Sequence, residues 1–204
     1  PGEALTFVII NTTLFIATTW FINPLCFALS PVAMAVVLGY SYTKRFTPLC
    51  HFVLGLGLGL APLGAYLAAG GGFAPIPLLF AGAVMLWVSG FDIIYALQDV
   101  EFDRKHALQS IPAALGREKA LQLSTLLHVL CALLLLLASY QIMVSYDNFG
   151  LLLGLGTGLF IGLLIYQHLL VKPDDLSRVN LAFFTTNGVA SLILGTLFVL
   201  DIFV

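Results

Sequence analysis

The stretch that most narrows what this chain can become is an uncharged run, PIPLLFAGAVMLWVSG (75–90), that passes directly into FDIIYALQDVEFDRKHALQS (91–110). Four acids, Asp92, Asp99, Glu101 and Asp103, then arrive within twelve residues. On a helix turning about 100° per residue, Asp92, Asp99 and Asp103 fall within roughly 40° of one another along about 16 Å of axis. Tyr95 lies about 60° to one side of Asp92, and Glu101 points the opposite way. Carboxylates aligned in one stripe repel one another unless cations hold them together. Glu101, Arg104 and Lys105 by themselves read as a solvated helix end. Asp92 does not, because it sits inside the apolar segment, where ionisable groups are costly and usually functional. The stripe is therefore read as a divalent-metal site.

The rest of the chain suits a bilayer. It is 60% hydrophobic and 9% charged over 204 residues, with mean hydropathy +1.06, against about 25% charged residues in a soluble domain. Apolar runs of roughly 20 residues can each span a membrane, and seven are marked: Ala4–Ile22, Leu25–Tyr42, Leu49–Ala69, Leu78 past Asp92, Lys119–Met143, Phe149–Val171 and Val179–Val204. The expected class is all-α, a polytopic membrane helical bundle forming a single domain. The fourth span is expected to continue as helix through Asp103. Asn23-Pro24 reads as a tight turn, Gly70–Pro77 as a non-helical loop, and Pro62 as a kink in the third span. Gly55 and Gly59, four apart, make a small-residue face for close helix packing. Cys26, Cys50 and Cys131 lack metal-ligand spacing and read as ordinary thiols. A net charge of −2 speaks against a nucleic-acid partner. No signal peptide is evident, and a start at Pro1 rather than Met reads as a processed or truncated piece.

All eight basic residues, Lys44, Arg45, Arg104, Lys105, Arg117, Lys119, Lys172 and Arg178, fall in loops on one side of this topology, which the positive-inside rule makes cytoplasmic. The opposite loops hold Asp147, and Asp201 lies near the last helix end. The acidic stripe shares the basic face with His51, His106 and His168. Carboxylates and cations concentrated at one mouth suit a metal-bound phosphate compound whose apolar tail lies among the spans. Tyr40 and Lys44, four apart at the end of the second span, share a helix face. They read either as an interfacial anchor pair or as groups that neutralise anionic oxygens. His128 in mid-span reads as a satisfied core histidine.

QDVEFDRKHALQSIP, preceded by Asp92 and Tyr95, resembles the second aspartate-rich motif of the UbiA-type intramembrane prenyltransferases. Tyr40-Ser41-Tyr42-Thr43-Lys44 resembles that family's YxxxK motif, HFVLGLGLGLAPLGAYLA the helix that follows it, and FFTTNGVASLILGT its closing span. The flavour is that of the 4-hydroxybenzoate polyprenyltransferases and their menaquinone-pathway relatives. The resemblance implies a nine-helix bundle in a bacterial inner membrane with its active site facing the cytoplasm. It also implies Mg²⁺ ions holding an isoprenyl diphosphate, with an aromatic acceptor beside it. Carried onto this chain, Asp99 and Asp103 become the metal ligands. Lys44, Tyr40, Arg104 and Lys105 become the diphosphate side, and Asp92 and Tyr95 the reaction centre. Asn187 becomes a weaker acceptor-side candidate, with an interhelical hydrogen bond as its other reading. Phe183 and Phe184 are candidates to flank a prenyl tail.

One departure stands against this. The family's first motif, NDxxDxxxD, is absent from these 204 residues; the only Asn–Asp neighbours are Asp147-Asn148, in a loop on the opposite side. Seven spans instead of nine suggest that two leading helices are missing, and the piece as given is expected to be inactive. Two other classes stay open. Asp92 inside a span could serve a proton- or cation-coupled transporter, and a non-catalytic membrane scaffold would make the stripe incidental.

Overall fold

Asn23 separates the first two apolar runs. Its backbone is extended (φ −165°, ψ 163°), its side chain accepts the Cys26 N–H at 2.8 Å, and Pro24 follows at a position where a missing N–H costs nothing. In the computed structural model, which describes residues 2–204, this cap divides α1 (Gly2–Ile22) from α2 (Pro24–Thr43). α3 (Cys50–Ala68) continues through Pro62. α4 (Pro75–Ala96) leads through a 3-10 turn (Leu97–Asp99) into α5 (Val100–Lys105), and a short α6 (Ile111–Leu115) follows. α7 (Arg117–Ser145) and α8 (Leu151–Leu170) are regular. The last span opens with a π-helical turn (Leu181–Thr186) and continues as α9 (Asn187–Asp201). Seven of these segments are long and apolar enough to cross a membrane. The chain is an all-helical, multi-pass membrane bundle, and no strand occurs among the described residues.

α4 is the central element, packed against α3 on one side and α7 on the other. Its contact with α3 depends on the glycine face. A Cβ at Gly55 would overlap the Met85 carbonyl and the Ser89 hydroxyl, and one at Gly59 would stand 2.7 Å from the Ala81 carbonyl, so the two backbones meet without side chains between them. One buried cluster, including Ile93, Ile94, Leu97, Ile111 and Leu121, lies at the acidic end. A second, including Ala83, Leu135, Phe160 and Leu164, lies nearer the middle of the bundle. At the far end Asp201 closes α8: its carboxylate accepts the Gly150, Leu152 and Leu153 N–H groups at 2.7–3.1 Å, which would otherwise be unsatisfied at a helix start.

Two expectations are corrected. The Gly70–Pro77 loop is shorter than read, because α4 already begins at Pro75; Pro75 and Pro77 sit in a first turn, where proline needs no N–H partner. The acidic stripe is also not one straight row. The 3-10 turn at Leu97–Asp99 winds about 20° per residue further than an α-helix, so everything after it is advanced by about 60°. Asp92 and the pair Asp99/Asp103 therefore meet different neighbours.

Candidate active site

The end of α2 brings a cation to the second half of the stripe. The Lys44 ammonium lies 2.8 Å from Oδ1 of Asp103 and 3.9 Å from Oδ2 of Asp99. Asp103 has no exposed side-chain surface, whereas Lys44 and Asp99 are partly open, at 31% and 47%. Ser110 completes the cradle: its hydroxyl donates to Oδ2 of Asp103 at 2.7 Å and accepts the Ala113 N–H, capping α6. The segment bearing Ser110 is held against α2 and α3. The Gln109 N–H donates to the Lys44 carbonyl at 2.7 Å, and the Cys50 thiol reaches the Gln109 carbonyl at 3.6 Å.

Asp92 turns instead to α3. Its Oδ2 lies 2.6 Å from Nδ1 of His51, a residue that is 2% exposed. Nε2 of the same ring accepts the Ile111 N–H at 3.3 Å, which leaves Nδ1 to carry the proton donated to Asp92. Ile111 follows Ser110 in the chain. Asp92, His51, the Ser110–Ile111 segment, Asp103, Lys44 and Asp99 thus form one connected polar path across α3, α4, α5 and the end of α2.

The other candidates fall in different places. Tyr95 stacks on Phe183 with ring centroids 4.2 Å apart and meets Phe184 edge-on at 6.0 Å. Tyr40 is exposed, and its hydroxyl makes no hydrogen bond to a described residue; its carbonyl accepts the Thr43 hydroxyl at 2.5 Å. Arg104 donates through Nε to the Ala113 carbonyl at 3.2 Å, tying α5 to α6, and forms no ion pair among the described residues. Lys105 is exposed without an ion pair among the described residues. Asn187 makes the interhelical bonds that were its other reading. Its Oδ1 accepts from Trp87 Nε1 at 3.0 Å and from Gln167 at 2.6 Å, and its Nδ2 donates to the Phe183 carbonyl. His128 is buried and satisfied by His168 and the Trp87 carbonyl at 2.8 and 3.2 Å. Sequence reasoning placed His51 at the right mouth but missed it as the partner of Asp92. The signal was there, since a lone carboxylate inside a span requires a partner.

A largely apolar cavity of about 760 Å³, bounded by α3, α4, α7, α8 and α9, has Ala83, Trp87, Leu135 and Phe160 in its wall and none of the carboxylates. From Trp87 a chain of edge-on aromatic contacts runs to Phe91 (5.4 Å) and Phe183 (5.3 Å), and Phe183 stacks on Tyr95. The aromatic rings therefore connect the cavity to the level of the carboxylates.

The donor set also fits a hard divalent cation. Oδ1 of Asp103 is buried, accepts no well-formed hydrogen bond and meets the Lys44 ammonium, so two carboxylates already converge on one positive charge. Mg²⁺ is typically bound by one or two carboxylates together with water and phosphate oxygens. Among the described residues no three His, Cys, Asp or Glu side chains form a complete cage. An ion held by Asp99 and Asp103 would keep sites for other oxygens.

Residues 1–189 match the model of the UbiA prenyltransferase family. Among curated relatives, the 4-hydroxybenzoate octaprenyltransferase of Alkalilimnicola ehrlichii is 29% identical over 94% of this chain and 63% of its own length. That of Nitrosospira multiformis is 30% identical over 84% and 57%. The chain therefore spans about three fifths of the curated relatives it matches. Among solved structures, the apo form of a UbiA homolog from Aeropyrum pernix K1 superposes with a TM-score of 0.83 at 31% identity, covering 98% of this chain and 72% of that one. A structure of digeranylgeranylglyceryl phosphate synthase shares the fold, with a TM-score of 0.77 at 23% identity over 100% and 71% of the two chains.

Proposed function

The chain belongs to the UbiA prenyltransferase family, and from that premise we propose that it carries half of the site of a membrane prenyltransferase. This enzyme would transfer a polyprenyl group from an isoprenyl diphosphate to an aromatic acceptor of the 4-hydroxybenzoate or naphthoate kind, in quinone biosynthesis. The observation that carries this reading is the Lys44 ammonium held between Asp99 and Asp103. The matched relatives are 4-hydroxybenzoate octaprenyltransferases, which supports the acceptor class.

In this account Asp99 and Asp103 hold Mg²⁺, which when bound neutralises charge on the diphosphate. Lys44 moves from the carboxylates to the diphosphate oxygens, where an ammonium stabilises the leaving group. Arg104 and Lys105, both near the mouth, add positive charge around it, and Tyr40 borders it from α2. The apolar tail follows the aromatic rings of Tyr95, Phe183, Phe91 and Trp87 into the cavity, with Phe184 beside them. Tyr95 and its neighbours present ring faces to the allylic cation, an arrangement that favours positive charge. Asp92, one turn before Tyr95 and separate from the Lys44 cluster, faces the reacting centre. Asn187 acts indirectly, by fixing Trp87 on the path of the tail rather than by touching the acceptor. The basic loops set the site on the cytoplasmic side of a bacterial inner membrane.

A transfer assay on the full-length native protein with octaprenyl diphosphate, 4-hydroxybenzoate and Mg²⁺ tests the reading. Asp99→Ala and Asp103→Ala should each lower turnover by about a hundredfold or more; retention of Mg²⁺-dependent transfer by both would overturn it.

A further inference from the structure

We propose that His51 is a positioning residue for Asp92, and that Asp92 so held takes the proton released when the aromatic ring is prenylated. The inference rests on the prenyltransferase reading above and adds to it a residue that the motifs do not contain.

The chemistry requires such a group. In the substitution, a bond forms between the allylic carbon and a ring carbon, and the carbon–oxygen bond to the diphosphate breaks with its electrons leaving on oxygen. The ring carbon then loses its hydrogen as a proton, and no oxidant or reductant takes part. The acceptor of that proton must lie beside the ring and be free of the cation that holds the diphosphate. Asp99 and Asp103 share Lys44. Asp92 is the carboxylate of the stripe that does not, and its side chain is 22% exposed, which leaves part of it free to meet a substrate.

His51 fixes which side that is. Its ring is held at both nitrogens: the Ile111 N–H occupies Nε2, and Nδ1 donates to Oδ2 of Asp92 at 2.6 Å. A second contact ties the same turn of α3 to α4, the Ser89 hydroxyl donating to the His51 carbonyl at 3.2 Å. With Oδ2 engaged by a buried donor that cannot rotate away, Oδ1 of Asp92 is the oxygen left for the substrate. Holding a proton acceptor in a single orientation raises turnover without adding affinity for the diphosphate.

Two substitutions separate this role from packing. In His51→Asn the amide nitrogen stands where Nδ1 stood and keeps the donor to Asp92. In His51→Gln the amide lies one bond further out, so it serves Ile111 and leaves Asp92 without its donor. With the assay above, His51→Asn should stay within about threefold of wild-type kcat. His51→Gln should lose about ten- to a hundredfold in kcat with the KM for octaprenyl diphosphate unchanged. In an Asp92→Asn background the two His51 variants should become equal, because the coupling is gone. Equal activity of the two variants with Asp92 intact would overturn the inference alone. Absence of transfer by the full-length wild-type protein would overturn the prenyltransferase reading and this inference with it. If His51→Gln does not fold, the ¹⁵N shifts of His51 in wild-type protein decide the matter. They should report a neutral ring protonated at Nδ1 and change on Asp92→Asn; a ring protonated at Nε2 would contradict it.

Discussion

The Lys44 ammonium lies 2.8 Å from Oδ1 of Asp103, a carboxylate with no exposed side-chain surface. A lysine at the end of α2 thereby neutralises an aspartate of α5, and the 109–110 segment links them, the Gln109 N–H donating to the Lys44 carbonyl and the Ser110 hydroxyl to Asp103.

Replacing Lys44 with Met should leave Asp103 buried with Ser110 as its remaining partner. The expected cost is on the order of 2–3 kcal/mol, the penalty for a buried carboxylate left without its counter-charge. Because a divalent cation can take the place of the ammonium, Mg²⁺ should raise the melting temperature of Lys44→Met more than that of the wild type. Thermal unfolding in detergent with and without Mg²⁺ checks both points, and an equal Mg²⁺ effect on the two proteins would argue against a metal at Asp103.

Asn187→Leu should cost about 1–3 kcal/mol, because Trp87 Nε1 loses its acceptor and the buried Gln167 amide loses one of its two. The same change frees the Trp87 ring at the inner wall of the cavity. Trp87 fluorescence should then shift and broaden, which a spectrum of a variant retaining Trp87 as its only tryptophan would show.

Filling the cavity tests where the tail lies. Ala83 is buried in its wall, and Ala83→Phe places a ring there. Competition between octaprenyl and geranyl diphosphate should shift about tenfold toward the shorter substrate. No shift would place the tail elsewhere in the bundle.

Asp201→Ala should lower the melting temperature by several degrees, since three N–H groups at the start of α8 lose their acceptor together. Prenyl transfer measured below the transition should be unchanged, because this cap lies at the opposite end of the bundle from the carboxylates.

Much of this architecture can be read from the residues because a bilayer leaves few options. Uncharged runs bounded by Asn23-Pro24, Lys44-Arg45 and Arg117 mark the spans to within a few residues, and Gly55 and Gly59 announce the backbone contact with α4. Asp99, Asp103 and Lys44 stand out for a related reason: charge is so rare here that each instance needs a purpose. Pairings distant in sequence do not announce themselves. His51 and Asp92 are 41 residues apart and Asp201 is 51 from Gly150, and periodicity carries no information across such separations. The 3-10 turn at Leu97–Asp99 and the π-helical turn at Leu181–Thr186 are likewise silent, since neither stretch holds a glycine or proline that would mark it. Arg104 is a further case: the sequence marks it as a basic residue beside the acidic motif but does not show that its Nε ties α5 to the Ala113 carbonyl.

The most direct test of the account is isothermal titration of the native protein with a non-hydrolysable prenyl diphosphate analogue, with and without Mg²⁺. Binding should require Mg²⁺ in the wild type and be lost in both Asp99→Ala and Asp103→Ala. Binding that is indifferent to Mg²⁺, or that survives both substitutions, would contradict a metal–diphosphate site at these carboxylates.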